Sequence, residues 1–245
     1  MRTTLLLMLL SGSLQAQMFP SAAPSKRDLW VFGVSAFGGV PVGEFRNHED
    51  GGGGVDLMLG YQPFRRQPLV LRASGGFMQY GAVYASGFQR VCDEYSCWTE
   101  RATYQARQHS MMVFQGGPEF MATDGTWRPF AFALAGITYF RSSANIPPSN
   151  PQGTPERETL FSSNNVSSAY GAGIRRVTTR IGREMGLELS ARVVRNADAS
   201  YLTEDGVQQQ PDGSWLRTPR HGAANVLGLH VGLWIGPRIH WTERQ

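Results

Sequence analysis

Lysine is almost missing from this chain. Lys26 is the single lysine, nearly all of the 23 basic residues are arginine, and only 17% of the 245 residues are charged. The surface of a soluble domain normally carries about a quarter to a third charged residues, with lysine well represented. The composition therefore indicates that much of the surface is hidden from water. The net charge of +4 is mild and dispersed, which argues against a nucleic-acid partner.

The sequence also lacks an apolar run long enough for a transmembrane helix, which needs about 20 residues. The apolar run at residues 5–10 follows the basic Arg2 and precedes small residues that end at Ala16. A basic start, a short apolar core and a small residue at the cleavage site are typical of a secretory signal peptide. We therefore expect a cleaved signal peptide over residues 1–16, a loose leader over 17–27, and an exported mature protein.

Cysteine occurs only twice, as Cys92 and Cys97. Two thiolates are too few ligands for a structural metal site. A close pair of cysteines in an exported chain fits an oxidising compartment and a single local disulfide. The glycine run at 51–54 lacks the strand-to-helix context of a phosphate-binding loop. We expect no metal and no cofactor.

The sequence does contain a recurring alternation of apolar residues with polar residues or glycine. In one segment, Leu187, Leu189 and Ala191 alternate with Glu188 and Ser190. Period-two alternation places successive side chains on opposite faces of a strand, so each segment has one apolar face. Eight such segments follow one another, at residues 30–36, 54–62, 69–77, 110–120, 130–141, 170–175, 187–193 and 227–239. In the fifth, alanines lie opposite phenylalanines and both faces are apolar, so its orientation stays open.

The connections between these segments are alternately long and short. The long ones cover residues 41–53, 81–107, 142–165 and 196–223, and the short ones cover 64–67, 122–125 and 178–184. In outer-membrane barrels the extracellular loops are long and the periplasmic turns are short. The sequence therefore predicts an all-β fold, an eight-stranded antiparallel up-and-down transmembrane β-barrel with its long loops outside.

The alternation alone does not decide which face meets lipid, because a soluble lipocalin-like barrel shows the same pattern with its faces exchanged. Three features favour lipid outside: a polar face made mostly of glycine and serine, the scarcity of lysine, and aromatic residues near strand ends. These aromatic residues are Trp30, Phe32, Tyr61, Phe120, Phe140 and Trp241.

The polar face of the predicted barrel carries single charges. The residues predicted to lie inside are Asp56, Arg72, Glu119, Arg175, Glu188, Arg192, His230 and Arg238. Enclosed charges must form ion pairs or hydrogen bonds, because an isolated buried charge is too costly. Eight strands also leave an interior just wide enough for side chains. We therefore expect a plug of salt bridges and not an open pore.

Three stretches of the sequence, at 32–36, 41–45 and 55–61, carry a resemblance to a known family. Over residues 28–241, with a tail at 242–245, the chain resembles the small outer-membrane β-barrel proteins of the OmpA-like and OmpX-like kind. The resemblance implies a bacterial outer membrane as the location.

In that family the last strand carries a signal for the barrel-assembly machinery, a glycine followed by alternate apolar residues of which the last is aromatic. Gly236, Ile239 and Trp241 match this spacing. The chain departs from the family pattern at Pro237 and in the residues beyond the final aromatic. The resemblance thus implies the assembly machinery as a partner during biogenesis.

Some similar barrels are enzymes that modify lipid A, and the related deacylases place a histidine and a serine two apart on one strand. Here His109 and Ser110 are adjacent and therefore point to opposite faces. Glu188, Ser190 and His230 form a second set if the last two strands pair, but a plugged interior would not admit an acyl chain. We expect a structural network and no enzyme. A lipid A deacylase or acyltransferase is the alternative, and a secreted lipocalin-like carrier is a third reading.

The long loops are the predicted interaction surface. Cys92 and Cys97 would close the tip of a hairpin whose strands run beyond the membrane, giving either an adhesive surface or a loop protected against proteolysis. Candidate contacts to lipopolysaccharide phosphates are Arg90, Arg101, Arg107 and Arg141. For each arginine, ordinary solubilising charge is the alternative. We expect a structural or surface-interaction role, in adhesion or envelope integrity, with outer-membrane lipid, lipopolysaccharide and a surface ligand as partners.

Overall fold

The computed structural model describes residues 30–63, 67–92, 95–146, 156–180, 183–210 and 215–238. The predicted signal peptide, the leader, the C-terminal tail, Ile239 and Trp241 lie outside the described residues. Within the described ranges, no helix has the length and apolar character needed to cross a bilayer.

Eight strands close into one antiparallel barrel, which confirms the predicted fold. The barrel strands are β1 (Trp30–Val42), β2 (Gly52–Tyr61), β3 (Leu69–Cys92), β4 (Cys97–Met121), β5 (Trp127–Ile146), β6 (Glu156–Arg180), β7 (Arg183–Arg195) and β12 (Asn225–Arg238). Each strand pairs with its neighbours in the chain, and β1 pairs with β12 to close the ring. A closed ring has no unpaired edge along its wall. Strand β1 begins and strand β12 ends at the end of the barrel that carries the short turns.

The side chains alternate between the interior and the outer surface as the sequence predicts. In β7, Leu187 and Leu189 are exposed on the outside, whereas Glu188 and Ser190 are buried inside. The orientation of β5, which the sequence left open, puts Phe130 and the following alternate residues inside. Ala131, Ala133 and Ala135 of β5 therefore line the outer surface.

Two hairpins extend far beyond the barrel wall. The β3–β4 ladder continues from Ala82↔Gln108 to Cys92↔Cys97, and the β5–β6 ladder continues to Ile146↔Glu156. A tilted strand needs about 9–11 residues to cross a membrane, whereas β3 and β4 have 24 and 25. The long connection predicted at 81–107 is therefore almost entirely a two-stranded ribbon, and much of the connection at 142–165 is also strand.

The ribbon begins at an irregularity in β3. The register between β3 and β4 shifts between Gln79 and Ala82, and Gly81 lies in that step with a φ of 64°. An added Cβ at Gly81 would come within 2.8 Å of a carboxylate oxygen of Glu49. Glycine is needed here because the left-handed backbone and the crowding both disfavour a side chain. At this step β3 leaves the barrel wall and enters the ribbon.

The fourth long connection folds into a cap. It contains β8 (Ala199–Tyr201), a 3-10 helix (Glu204–Gly206), β9 (Val207–Gln209), β10 (Trp215–Arg217) and β11 (Arg220–Gly222). Strand β8 pairs with β11 and strand β9 with β10. Leu202 and Val207 pack with Leu160 and Ala144 of the β5–β6 hairpin in a small apolar cluster of their own. The cap is therefore held to that hairpin by a second core outside the barrel.

Candidate functional site

A buried carboxylate, Glu119, is the centre of a charge network inside the barrel. It accepts a hydrogen bond from Arg72 of β3 at 2.9 Å and two from Arg175 of β6, one of them at 3.1 Å. The Nε of Arg175 also donates to Glu188 at 2.8 Å, and Glu188 accepts from Ser190 at 3.3 Å. All of these side chains are buried. The network therefore joins strands β3, β4, β6 and β7 across the interior.

A second branch of the network begins at Asp56 on β2. Asp56 accepts from Arg192 at 3.0 Å and lies 3.9 Å from a guanidinium nitrogen of Arg72. Arg192 also donates to the side-chain oxygen of Gln115, whose amide donates to Ser167 at 2.8 Å. Positive and negative groups thus alternate through both branches, and three arginines face three carboxylates. This balance is what a buried cluster of charges requires.

Aromatic rings pack beneath two of the buried guanidinium groups. The guanidinium carbon of Arg175 lies 4.1 Å from the ring centre of Phe130, and that of Arg72 lies 4.4 Å from the ring centre of Phe132. Trp234 covers Arg175 from another side at 5.4 Å. A cation over an aromatic face is attracted by the ring's charge distribution. This contact explains why β5 turns its phenylalanines, and not its alanines, inward.

His230 lies at the edge of the network. Its ring stacks on Phe37 at 4.6 Å, and its Nδ1 lies 3.4 Å from the Ser35 hydroxyl. Beside it a cavity of about 20 Å³, also lined by Asp56 and Arg192, has room for about one water molecule. Seven of the eight predicted interior charges are thus buried in one place. Arg238 is the last residue of β12, and its predicted place in the network lies outside the described side chains.

An aromatic plug closes the barrel at the long-loop end. Phe45, from a 3-10 helix (Gly43–Asn47) in the first connection, packs edge-on against Tyr80 and Tyr201, and Phe140 completes the cluster. Burial raises the pKa of Tyr201. Phe140 is buried here, so its predicted place in the aromatic girdle on the outer surface is wrong. The plug and the charge network together fill the interior.

The structure pairs His109 with a residue that the sequence did not suggest. Its Nδ1 lies 2.8 Å from the hydroxyl of Ser142, the residue opposite it on β5. Both side chains are buried under the plug. A catalytic histidine and serine also need access for a substrate. The predicted set of Glu188, Ser190 and His230 is likewise brought together and sealed inside, so neither group has an open approach.

The outer wall of the barrel carries a continuous apolar surface. On β1 the outward positions run from Trp30 to Val40, and on β12 from Leu227 to Leu233. Ten residues along a strand tilted by about 40° rise about 25 Å, which is the height of the apolar band of outer-membrane barrels. The rings of Trp30 and Tyr61 pack against each other at the short-turn end, with their centres 5.2 Å apart and their planes tilted by 54°, where an interfacial girdle would lie.

The tip of the β3–β4 ribbon presents aromatic residues to solvent. Tyr95 is 91% exposed and Trp98 is 46% exposed, and Cys97 follows directly after the turn. The Cα register places Cys97 opposite Cys92, which is the arrangement that a disulfide across the hairpin needs. The bridge itself stays a prediction.

The four arginines predicted to contact lipopolysaccharide occupy different settings. Arg107 donates to the carbonyl of Val207 at 2.6 Å and so joins the ribbon base to the cap. Arg141 donates to the hydroxyl of Thr159 at 3.0 Å on the exposed side of the β5–β6 hairpin. Arg90 and Arg101 lie in the ribbon, and their side chains lie outside the described residues. Binding of phosphates by any of the four stays a prediction.

Ion pairs on the cap are exposed. Arg217 donates to Glu158 at 2.7 Å, and Arg220 donates to Asp205 at 2.7 Å. Hydrogen bonds from Thr203 and Arg220 lower the pKa of Asp205. Within the described ranges, no group of three or more His, Cys, Asp or Glu side chains is placed to hold a metal ion.

Solved structures of bacterial surface proteins are similar to this chain in fold. Neisserial surface protein A matches with a TM-score of 0.46 and 9% identity, over 86% of this chain and 99% of that protein. Ail, the attachment invasion locus protein of Yersinia pestis, matches with a TM-score of 0.39 and 13% identity, over 84% and 96%. A major outer membrane protein from Thermus thermophilus matches with a TM-score of 0.43 and 14% identity, over 85% and 99%.

No protein-family model matches the sequence, and no curated protein matches it. The closed eight-stranded barrel of the described residues agrees with the predicted resemblance at the level of the fold alone.

Proposed function

We propose that this protein is an exported outer-membrane barrel that supports the cell envelope or contacts surfaces through its extracellular ribbon and cap. The observation that carries the proposal is a closed barrel with an apolar outer wall, a charged and filled interior, and a hairpin that extends far beyond one end. In this proposal the signal peptide directs export, and the barrel-assembly machinery inserts the chain by way of Gly236, Ile239 and Trp241.

The distribution of polarity supports the membrane environment. A water-soluble barrel would bury its apolar residues and expose its charges, whereas here Leu187, Leu229 and Val231 are outside and the salt bridges are inside. Charges enclosed in this way cannot serve as a solvated surface. The orientation follows from the connections, because short turns face the periplasm and long loops face the exterior in such barrels. The ribbon and the cap would then lie outside the cell.

The filled interior supports a role without conduction. The charge network crosses the barrel from β2 to β7, and the aromatic plug lies above it. The cavity of about 20 Å³ beside His230 holds at most about one water molecule. Ions would have to displace several buried salt bridges to pass. We therefore infer that the protein does not act as an open pore.

The ribbon is the part best suited to contact another molecule. Beyond the pair Gly53↔Gln79 strand β3 has no partner on its outer side, and beyond Arg107↔Ala144 the same holds for β4, within the described part of the chain. Exposed strand edges offer backbone donors and acceptors to other chains. The aromatic tip adds Tyr95 and Trp98. A protruding surface of this kind fits adhesion better than catalysis.

The environment of the barrel is tested by fractionating cells that express the full chain. We expect the mature protein in the outer-membrane fraction, solubilised only by detergent, with faster gel migration before boiling than after. Recovery as a soluble protein would contradict the proposal and favour the lipocalin-like carrier.

The enzyme alternative is tested in the same strains by comparing lipid A mass spectra with and without the gene. An altered acylation pattern would overturn the non-enzymatic role.

The disulfide is tested on intact cells. We expect Cys92 and Cys97 to react with an alkylating reagent only after reduction, and reduction to speed cleavage of the ribbon by added protease. A bridge that closes a short loop contributes about 2 kcal/mol by restricting the open hairpin. The barrel should keep its gel migration because the bridge lies outside it. Alkylation of both thiols without reductant would show that no bridge forms.

A further inference from the structure

We propose that Arg176 and Trp127 form a binding site for the phosphate of a phospholipid in the periplasmic leaflet. The inference rests on the membrane placement proposed above. It concerns the outer wall near the short-turn end, away from the interior network and from the extracellular ribbon.

The two residues are neighbours on adjacent strands. Trp127 begins β5 and stands opposite Arg176 of β6 in the register. The guanidinium carbon of Arg176 lies 5.7 Å from the centre of the Trp127 ring. Trp127 is 58% exposed, and Arg176 is exposed on the same outward face. The other strand beside Arg176 contributes Leu187, which is also exposed.

The charge of Arg176 is the unusual feature of this face. The two inward arginines nearby are neutralised, since Arg175 contacts two buried carboxylates and Arg128 pairs with Glu184 through two bonds of 2.8 and 2.9 Å. Arg176 makes no ion pair with a described carboxylate. It is therefore a cation on an apolar wall. The neighbouring Trp127 ring packs against its guanidinium but carries no charge to neutralise it.

The chemistry of the site points to a phosphate. A guanidinium presents parallel donors that match phosphate oxygens, and it stacks on an aromatic ring without losing them. Tryptophan at a membrane interface keeps its ring among the acyl chains and its N–H toward the head groups. The short-turn end places the pair in the periplasmic leaflet, which contains phospholipid, so we commit to phospholipid and not to lipid A.

The test measures lipid binding to the purified full-length protein in detergent by native mass spectrometry, with phosphatidylglycerol as the probe. We compare the wild type with Arg176→Gln and Trp127→Ala. Arg217→Gln is the matched control, because Arg217 is an exposed arginine on the cap. Loss of a charge-assisted bidentate contact should weaken phosphatidylglycerol binding about tenfold in Arg176→Gln. Trp127→Ala should weaken it less, and Arg217→Gln should leave it unchanged.

Each contrary result has a distinct meaning. Equal phosphatidylglycerol binding by the wild type and Arg176→Gln would overturn the site. Tighter binding of purified lipid A that depends on Arg176 would overturn the assignment to the periplasmic leaflet. The gel migration of unboiled samples checks that every variant is folded. If the wild type itself were soluble without detergent, the membrane placement would fail, which is separable from a folded barrel that shows no lipid preference.

Discussion

Replacing Glu119 by glutamine is expected to destabilise the barrel by about 3–5 kcal/mol, because two buried guanidinium groups lose the negative carboxylate that both of them contact. Arg72 of β3 and Arg175 of β6 both donate to this carboxylate, one from each side of strand β4. Glutamine keeps the shape of the side chain but removes its charge, so the network retains an excess positive charge away from water. The free energy of unfolding, measured by urea titration of the protein in phospholipid vesicles, gives the size of the loss.

Two other variants separate charge burial from simple removal of an ion pair. Glu188→Gln leaves Arg175 with its contacts to Glu119, so we expect a smaller loss of about 1–3 kcal/mol. Glu158→Gln breaks a pair whose side chains are 38–39% exposed, and we expect less than about 1 kcal/mol. A Glu119→Gln barrel as stable as the Glu158→Gln barrel would mean that the interior charges are hydrated and that the interior is not sealed.

Replacing Leu189 by arginine is expected to cost about 2–4 kcal/mol, the penalty for a cation on the lipid-facing wall near the middle of the bilayer. Leu189 is exposed on β7 between Ile174 and Val231 in the register, in the centre of the apolar wall. In water the same substitution on an exposed side chain would change stability by no more than about 0.5 kcal/mol. The predicted loss therefore measures the environment of the wall.

The matched control for this variant is Leu216→Arg. Leu216 is also an exposed leucine in a strand, but it lies in β10 of the cap. We expect no measurable change there, in the same vesicle-based unfolding assay. If both substitutions changed the free energy of unfolding equally little, the wall would face water, and the interpretation as a soluble carrier would replace the interpretation as a membrane protein. If Leu189→Arg failed to fold, a charged spin label at a cysteine introduced at position 189 would report its accessibility to a water-soluble relaxant.

The sequence alone predicted more of the interior than of the exterior. The members of the charge network were identified by the face of the strand on which each lies, as with Glu188 against Leu189, because period two is a local property. Their partners were not predicted. Arg192 and Asp56 are 136 positions apart in the chain, and their contact depends on how the ring closes. The same applies to His109 and Ser142, which meet only because the β4–β5 register sets them opposite each other.

The residues that the sequence placed wrongly or missed are those whose positions depend on contacts between distant parts of the chain. Phe140 lies inside, where Tyr201 of the cap packs on it and Phe45 of the first connection packs on Tyr201. Trp234 lies on the inner face because it covers Arg175. Extension of the ladder in the ribbon was expected, but the folding of 196–223 into a cap was not, since its strands are three residues long and have no alternation to read.

The amino-acid sequence by itself determined the number of barrel strands, their alternating faces and the end that carries the long connections, because these follow from local period and turn composition. Only the tertiary structure decided which charges meet, which way β5 faces, that the mouth is plugged, and that Arg176 stands beside Trp127 on the outer wall. Those features depend on the register between strands and on closure of the ring, and both are set by contacts between residues far apart in the chain.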